Sequence, residues 1–583
     1  MNKAFYLAVV ARPGPEAAER MHRLTEKLQA PGMADLVAVP ELRVVGDPAA
    51  AQLTLPNGRG IILGHLFRRV DSKRVTAMSG EEALSSRDFV KAYWGGYVAI
   101  RAFEDRVEIL RDPSGMVPCY HAEIDGVHVL TSRPDLLFGT GLLDPIIDWT
   151  IVAQSLVYRD FRPARTCLRG VSELLPGAVL DLSERGASTH CAWSPWQFAQ
   201  PAARITDPAE AITTLRDVMI VTLGAWAGCF ERPMIEISGG LDSSIVAAGM
   251  RAPGPAIHCL TFGPAAGDAS ELPWARAVAE HLGYPLAELV ADAATVDIGH
   301  SDAQDLPRPC ARAFSQALDR PIQKVAAKLC IDAFFGGGGG DSMFCLTHSA
   351  LPLIDRLTAE GLGRGIFESA GDIAQLTRTN IWKVLAAAAR RLPRAHSSMP
   401  RPMTNAFLAR HVPETLPWPE GNSWLAAPPG VPPGKRNHVW SIIGIQNQLE
   451  GYGREAMAPL LAPLLSQPIA ETCIAIPTWY WCIGGNNRAV AREAFRDRLP
   501  ASVIDRRTKV SFSSLAYRVI RANMTILREM LLDGALARQG LLDRERIAGF
   551  LDGTMADGEA LPELMALVEV EAWVRHWEAR SLR

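Results

Sequence analysis

No two of the ten cysteines stand in a C-x-x-C spacing, and ten in 583 residues is far below the density of a disulfide-stapled scaffold. They are expected to be small buried hydrophobes in a reducing compartment. No run of 18 apolar residues occurs, so no membrane span is expected. Net charge is almost absent too: 60 basic against 63 acidic residues leave −3. A chain so close to neutral has no field to draw in nucleic acid or an anionic membrane, so any phosphate chemistry must come from a local site. The opening Met1-Asn2-Lys3 and its apolar continuation lack a small-x-small cleavage site before Arg12-Pro13-Gly14-Pro15. That favours a first strand over a secretory signal, and a cytoplasmic location. What the chain has in quantity is apolar surface. At 48% hydrophobic and 21% charged, it is a well-buried globular protein of two or three domains.

Residues 1–195 carry short period-two stretches between turn signals. Gly95–Ile100 and Arg106–Leu110 are followed by the break Asp112-Pro113-Ser114-Gly115, and Val127–Leu130 resumes after Asp125-Gly126. The alternation predicts half-buried antiparallel strands, hence a β-rich α+β domain. The polar, proline-containing stretch Pro195–Asp207 is read as the boundary. From Pro208 the texture changes to strands alternating with helices. Strands are predicted at Met234–Ile237, Ala256–Phe262, Ala287–Val290 and Ile331–Phe335, with helices at Pro208–Phe230, after Ser244 and at Glu271–Leu282. This order implies βαβ units and an α/β domain over 208–583 with a parallel, doubly wound sheet. Leu351 to Arg583 reads as mostly helical, interrupted by a proline-rich loop at Pro413–Lys435.

The strongest chemical signal is Ser238-Gly239-Gly240-Leu241-Asp242-Ser243-Ser244, set between a strand and a helix. Two glycines let backbone N–H groups approach an anion, the serine hydroxyls donate, and the helix start adds partial positive charge. It is not a Walker A loop, because the lysine and its spacing are missing. Asp242 beside a phosphate would repel it unless a divalent cation bridges them, which points to Mg²⁺. A second carboxylate, Asp341, closes the five-glycine run Gly336–Gly340 at the end of another strand. Ligands of open α/β sheets bind beyond the carboxyl ends of strands, so Asp341 is expected to face Asp242 and share the metal. A third candidate, Lys509 in Asp505-Arg506-Arg507-Thr508-Lys509, offers a cation to a developing oxyanion; such a run also reads as a solvated helix face.

Ser238–Ser244 resembles the pyrophosphate loop of the asparagine synthetase superfamily. Ile257–Gly263 and Glu271–Gly283 look like the strand and helix that follow it. Gly336–Asp341 is similar to that family's second loop, and Arg507-Thr508-Lys509 to its C-terminal lysine motif. Upstream, Gly96–Ala99, Arg111–Gly115 and Thr131-Ser132 resemble its amino-terminal glutamine amidotransferase-like domain. The resemblance implies an Ntn-type first domain and a HUP-like ATP-pyrophosphatase second domain. It also implies ATP and Mg²⁺ as cofactors, with Asp242, Asp341 and Lys509 catalytic. Ser238, Gly239, Gly240, Leu241, Ser243, Ser244, Gly336 and Gly337 would then hold ATP or pyrophosphate, and Ile237 and Phe262 would line the adenine and ribose pocket. Glu271 and His281 are left to helix surface.

Three departures narrow the class. Glutamine-dependent relatives carry a cysteine after the initiator methionine, where this chain has Asn2. Asparagine synthetases carry glutamates at the positions matching Gly338 and Ser342, so ammonia handling is disfavoured and room is left for a larger substrate. Two branches without glutaminase activity are the β-lactam synthetases and the lasso peptide cyclases. Pro432–Val439, Pro459–Leu461, Ser466–Pro468 and Asn487–Arg492 resemble the second. The expectation is a macrolactam synthetase for a lasso precursor core peptide, partnered by a leader peptidase and a leader-recognition protein. The alternatives are a β-lactam or other small-molecule amide synthetase, an ammonia-dependent asparagine synthetase, and a non-catalytic binding subunit.

Overall fold

Period-two patterning in the first part of the chain becomes two six-stranded sheets, antiparallel throughout. The computed structural model describes residues 5–11, 17–28, 32–78, 84–251, 253–263, 270–394, 406–507, 513–553 and 560–581. One sheet centres on Tyr6–Ala11, between Val127–Thr131 and Leu42–Gly46; the other on Tyr93–Ala102, between Gly60–Arg68 and Arg106–Arg111. Alternate residues of the two sheets meet in one dry layer, with Tyr6, Val10 and Val44 from the first against Ile61, Ile100 and Ile109 from the second. The expected α+β unit is thus a two-layer sandwich with its own core.

The helix Pro208–Ala227 opens the second part. Asp207 accepts hydrogen bonds from the N–H groups of Ala209 and Glu210, and Pro208 stands where a helix lacks an N–H acceptor anyway. Near its end Trp226 is fully buried against Phe67 and Trp94 of the sandwich, and its indole N–H donates to Ser466 Oγ at 2.9 Å. A side chain at Gly96 would approach that indole to 3.2 Å, so the glycine admits the tryptophan.

The third sheet is parallel and five-stranded, in the order Leu286–Val290, His258–Gly263, Pro233–Glu236, Ala333–Gly336, Leu460–Leu461. Four of these strands fall within two residues of their expected bounds. The fifth was not expected, because two leucines in a helical region carry no periodicity to read. The loop expected to run to Lys435 ends earlier: Pro433–Gln446 is a helix begun by its own proline.

A buried ion cluster fastens the parts together. The Glu173 carboxylate, fully buried, accepts from Arg111 Nη1 at 2.6 Å, Arg162 Nε at 2.8 Å and Arg308 Nε at 3.2 Å. Burial alone would raise the pKa of Glu173; the charges of Arg162, Arg111 and Arg308 outweigh that and hold it well below the usual carboxylate range. Arg162 also reaches Glu450 at 3.0 Å. All ten cysteines are free thiols, with Cys330 alone of them exposed. Among the described residues no helix is long and apolar enough to cross a membrane.

Candidate active site

The parallel sheet starts in its middle, at Pro233–Glu236, runs outward through His258–Gly263 and Leu286–Val290, then crosses to the other side with Ala333–Gly336. The chains leaving the two central neighbours must diverge, which opens a crevice at their carboxyl ends. Both glycine loops emerge there. Pro233–Glu236 passes through Ser238-Gly239-Gly240 into the helix Leu241–Gly249, and Ala333–Gly336 through Gly337-Gly338-Gly339 into the short helix Gly340–Met343.

Glycine is needed in the first loop for shape. Gly239 has φ +63°, and a Cβ there would lie 2.3 Å from Trp274 Cβ. Serines fix the turn: Ser243 Oγ accepts from the Ser238 N–H at 3.2 Å, and Ser238 Oγ from the Gly240 N–H at 3.3 Å. Ser244 Oγ donates to Gly240 O at 2.7 Å and is fully buried, so this hydroxyl braces the helix start instead of facing the cavity. The second loop packs backbone to backbone on the first. A Cβ on Gly337 would fall 2.5 Å from Ser243 N, and one on Gly340 2.3 Å from Asp242 Cγ. Gly338 is different, with nothing within 4 Å of where its Cβ would be.

This packing brings Asp242 and Asp341 to the same atom. Arg488 Nη1 lies 2.9 Å from both oxygens of Asp242 and 2.6 Å from Asp341 Oδ1. Asp242 and Arg488 are nearly buried, whereas the Asp341 side chain is 44% exposed. Two carboxylates that share one nitrogen can share one small cation. Their hard oxygen donors suit Mg²⁺, which is commonly held by one or two carboxylates with phosphate oxygens completing its shell. Among the described residues no group of three or more His, Cys, Asp or Glu forms a metal cage, so water or phosphate oxygens would complete that shell.

The loops, both aspartates and Arg488 line a cavity of about 770 Å³. Arg506 closes one side. It lies 4.0 Å above the Trp274 ring, donates to Gly239 O at 3.1 Å and pairs with Glu271 at 2.8 Å. Arg492 ties the Arg488 segment to the chain before Arg506, donating to Asn487 Oδ1 at 2.7 Å and to Ile504 O. Burial lowers its pKa to about 10. Arg454, which also lines the cavity, pairs with Glu236 at 3.0 Å and approaches Asp319 at 3.5 Å; burial raises Asp319 to about 6.

Several expectations are corrected. Ile237 is fully buried in the core and Phe262 packs half-buried against another cluster; neither lines the cavity. Glu271, expected on a helix surface, lines the cavity instead, while His281 is exposed as expected. Lys509 lies outside the described residues.

A family model described as asparagine synthase matches residues 233–575, more than half the chain, and spans both glycine loops. The chain belongs to the asparagine synthase family. As a member it is an ATP-dependent amide-forming synthetase. Among solved structures, two overlay on 49% of this asparagine synthase-family chain, each at 9% identity and a TM-score of 0.20. One is glutamine phosphoribosylpyrophosphate amidotransferase from B. subtilis complexed with ADP and GMP, covered to 85%; the other is described as the allosteric regulatory enzyme of purine biosynthesis, covered to 75%. Overlays this loose carry no conclusion. No curated protein matches the chain.

Sequence reasoning missed Arg488, Arg506 and the Glu236–Arg454–Asp319 cluster. Arg488 fell inside a string noted only for its resemblance, and nothing in that string signals that its guanidinium reaches back 246 residues to Asp242.

Proposed function

We propose that the protein closes a macrolactam ring in a lasso precursor core peptide, joining a side-chain carboxylate to the peptide's own α-amine at the expense of ATP. One observation carries the reading of the site: Asp242 and Asp341, on two loops at the sheet's switch point, converge on one cavity. The substrate carboxylate attacks the α-phosphorus, giving an acyl-adenylate and pyrophosphate; the amine then attacks the carbonyl and expels AMP. Ser238, Gly240 and Ser243 line the pyrophosphate end, and Asp242 and Asp341 would hold Mg²⁺. That ion, when bound, neutralises phosphate charge. Lys509 would supply a further cation. Gly239, Leu241, Ser244, Gly336 and Gly337 are assigned to shaping this end rather than to contact with the reacting atoms; Ile237 and Phe262, which do not line the cavity, take no part.

The peptide reading is supported by the strings at Pro432–Val439 and Asn487–Arg492, and by the open space at Gly338, where asparagine synthetases carry a glutamate. Holding amine and carbonyl together in one chain supplies favourable intramolecular geometry, worth roughly 7–11 kcal/mol. Excluding water from the cavity once the peptide is seated would protect the adenylate. The first domain is proposed to be an amidotransferase-like fold without glutaminase chemistry, and a cytoplasmic leader peptidase and leader-recognition protein to be its partners. The test incubates the protein with ATP, Mg²⁺ and a candidate core peptide. Loss of one water from the peptide with AMP and pyrophosphate release, abolished by Asp242→Ala and by Lys509→Ala, is expected. Release of ADP, or product that depends on glutamine, refutes the proposal.

A further inference from the structure

A second cavity of about 490 Å³ adjoins the first, and Arg312, Phe314 and Gln448 line both. Its walls come from far apart in the chain. Tyr158 and Phe161 follow the helix Trp149–Val157, Phe314 precedes the helix Gln316–Leu329, and Leu561, Met565 and Val570 lie on the final helix Leu561–Ser581. Both cavities fall within the volume range of ligand sites, about 300–1,000 Å³.

One polar group in this largely apolar wall is unexplained by the fold. Glu569 is 2% exposed; its Oε1 accepts from the Ser301 hydroxyl, while Oε2 has no partner among the described residues. A buried carboxyl oxygen without a partner is costly, and none of the described residues takes it up. Of the other charged residues lining the cavity (Arg159, Asp160, Arg308 and Arg312), Arg308 is committed to Glu173 and to the carbonyls of Pro163 and Arg165.

We propose that this second cavity seats the part of the substrate peptide that is not being joined: an uncharged segment with aromatic or aliphatic side chains, one of whose backbone amides pairs with Glu569. The inference rests on the peptide reading above and names where the rest of that peptide lies. Three features argue for this occupant. Continuity with the nucleotide cavity lets one chain span both. Tyr158, Phe161, Phe314 and Met565 give apolar surface for side chains. Burial pushes Glu569 up to about 8, so at neutral pH the group is a carboxyl that can donate to a peptide carbonyl, and a cationic side chain gains no ion pair from it.

The test uses the full-length protein and the capped tripeptides Ac-Phe-Gly-Phe-NH2 and Ac-Lys-Gly-Lys-NH2 as probes in saturation-transfer NMR, with ATP·Mg²⁺ affinity measured in parallel by calorimetry. The phenylalanine peptide is expected to receive at least fivefold more saturation than the lysine peptide. Ala566→Trp, which fills the cavity, and Glu569→Leu, which removes the polar partner, should each cut that signal at least fivefold with ATP·Mg²⁺ affinity unchanged. Retained nucleotide affinity in either variant shows that it is folded, and one such variant is enough to decide. Equal signals from the two peptides, no signal from either, or a signal undiminished in a nucleotide-binding variant overturns the cavity assignment and leaves the proposed function standing. Failure of the unaltered protein to bind ATP·Mg²⁺ overturns the proposed function instead.

Discussion

Two adjacent glycines in the second loop should behave in opposite ways. A Cβ at Gly337 would stand 2.5 Å from Ser243 N, 2.9 Å from its Cα and 3.0 Å from Asp242 C, all backbone atoms of the first loop and its helix that cannot rotate away. Forcing a methyl into such a contact costs about 1–3 kcal/mol. Any relief must separate the two loops, and with them Asp242 from Asp341. A displacement near 1 Å at reacting groups costs on the order of 100-fold in rate. A Cβ at Gly338 would touch nothing within 4 Å, and its backbone is not left-handed, so alanine there should change stability by less than about 0.5 kcal/mol. The measurements are denaturant midpoints and AMP release from ATP·Mg²⁺ with substrate. Gly337→Ala is expected to lose stability and at least tenfold in rate, while Gly338→Ala stays within a few-fold of the parent in both. Equal behaviour of the two variants, or a larger defect at Gly338, would refute the argument that close packing of the loops sets the distance between the aspartates.

Three further outcomes follow from buried or bridging charge. Glu173→Gln leaves Arg111, Arg162 and Arg308 buried around a neutral group, and breaking a buried pair costs about 3–5 kcal/mol; urea denaturation should show a loss of that size at pH 7, and a difference under about 1 kcal/mol would count against it. Glu569 has a folded-state pKa raised from 4.5 to about 8, so the stability it contributes is complete below pH 4.5 and lost as pH rises through 8. Glu569→Gln should therefore gain on the parent between pH 5 and pH 8.5, by on the order of a few kcal/mol at most, read as diverging melting temperatures; parallel curves would contradict this. Arg488→Gln removes the cation shared by Asp242 and Asp341 and should cost about 1 kcal/mol without divalent ions, partly restored by millimolar Mg²⁺ in a thermal-shift titration. No difference in the Mg²⁺ response would weigh against the shared-cation geometry.

Much of the fold was legible because its signals are local. Alternation at Gly95–Ile100 reports a strand, though not that both of its faces are covered in the fold, and the glycine loop after Met234–Ile237 reports a strand-to-helix turn, whatever surrounds them. The strand Leu460–Leu461 escaped because two residues have no period, and its edge position is fixed by pairing with Phe334 and Phe335. Ile237 and Phe262 were misplaced for a related reason. A strand residue's covered face depends on which helices pack there, and that choice is made by the whole sheet.

The sequence alone determined the two loops, their carboxylates, the βαβ order and the absence of a Walker lysine, because backbone conformation and residue chemistry act over a few residues. Tertiary structure decided what those pieces do to one another. It set the aspartates on one guanidinium, brought Arg506 over the first loop, and joined the cavity they line to a second one holding Glu569, whose Oε2 has no partner among the described residues. Each of these depends on contacts between residues more than a hundred positions apart, whose positions follow from the order of parallel strands and the burial of apolar faces, which no local pattern encodes.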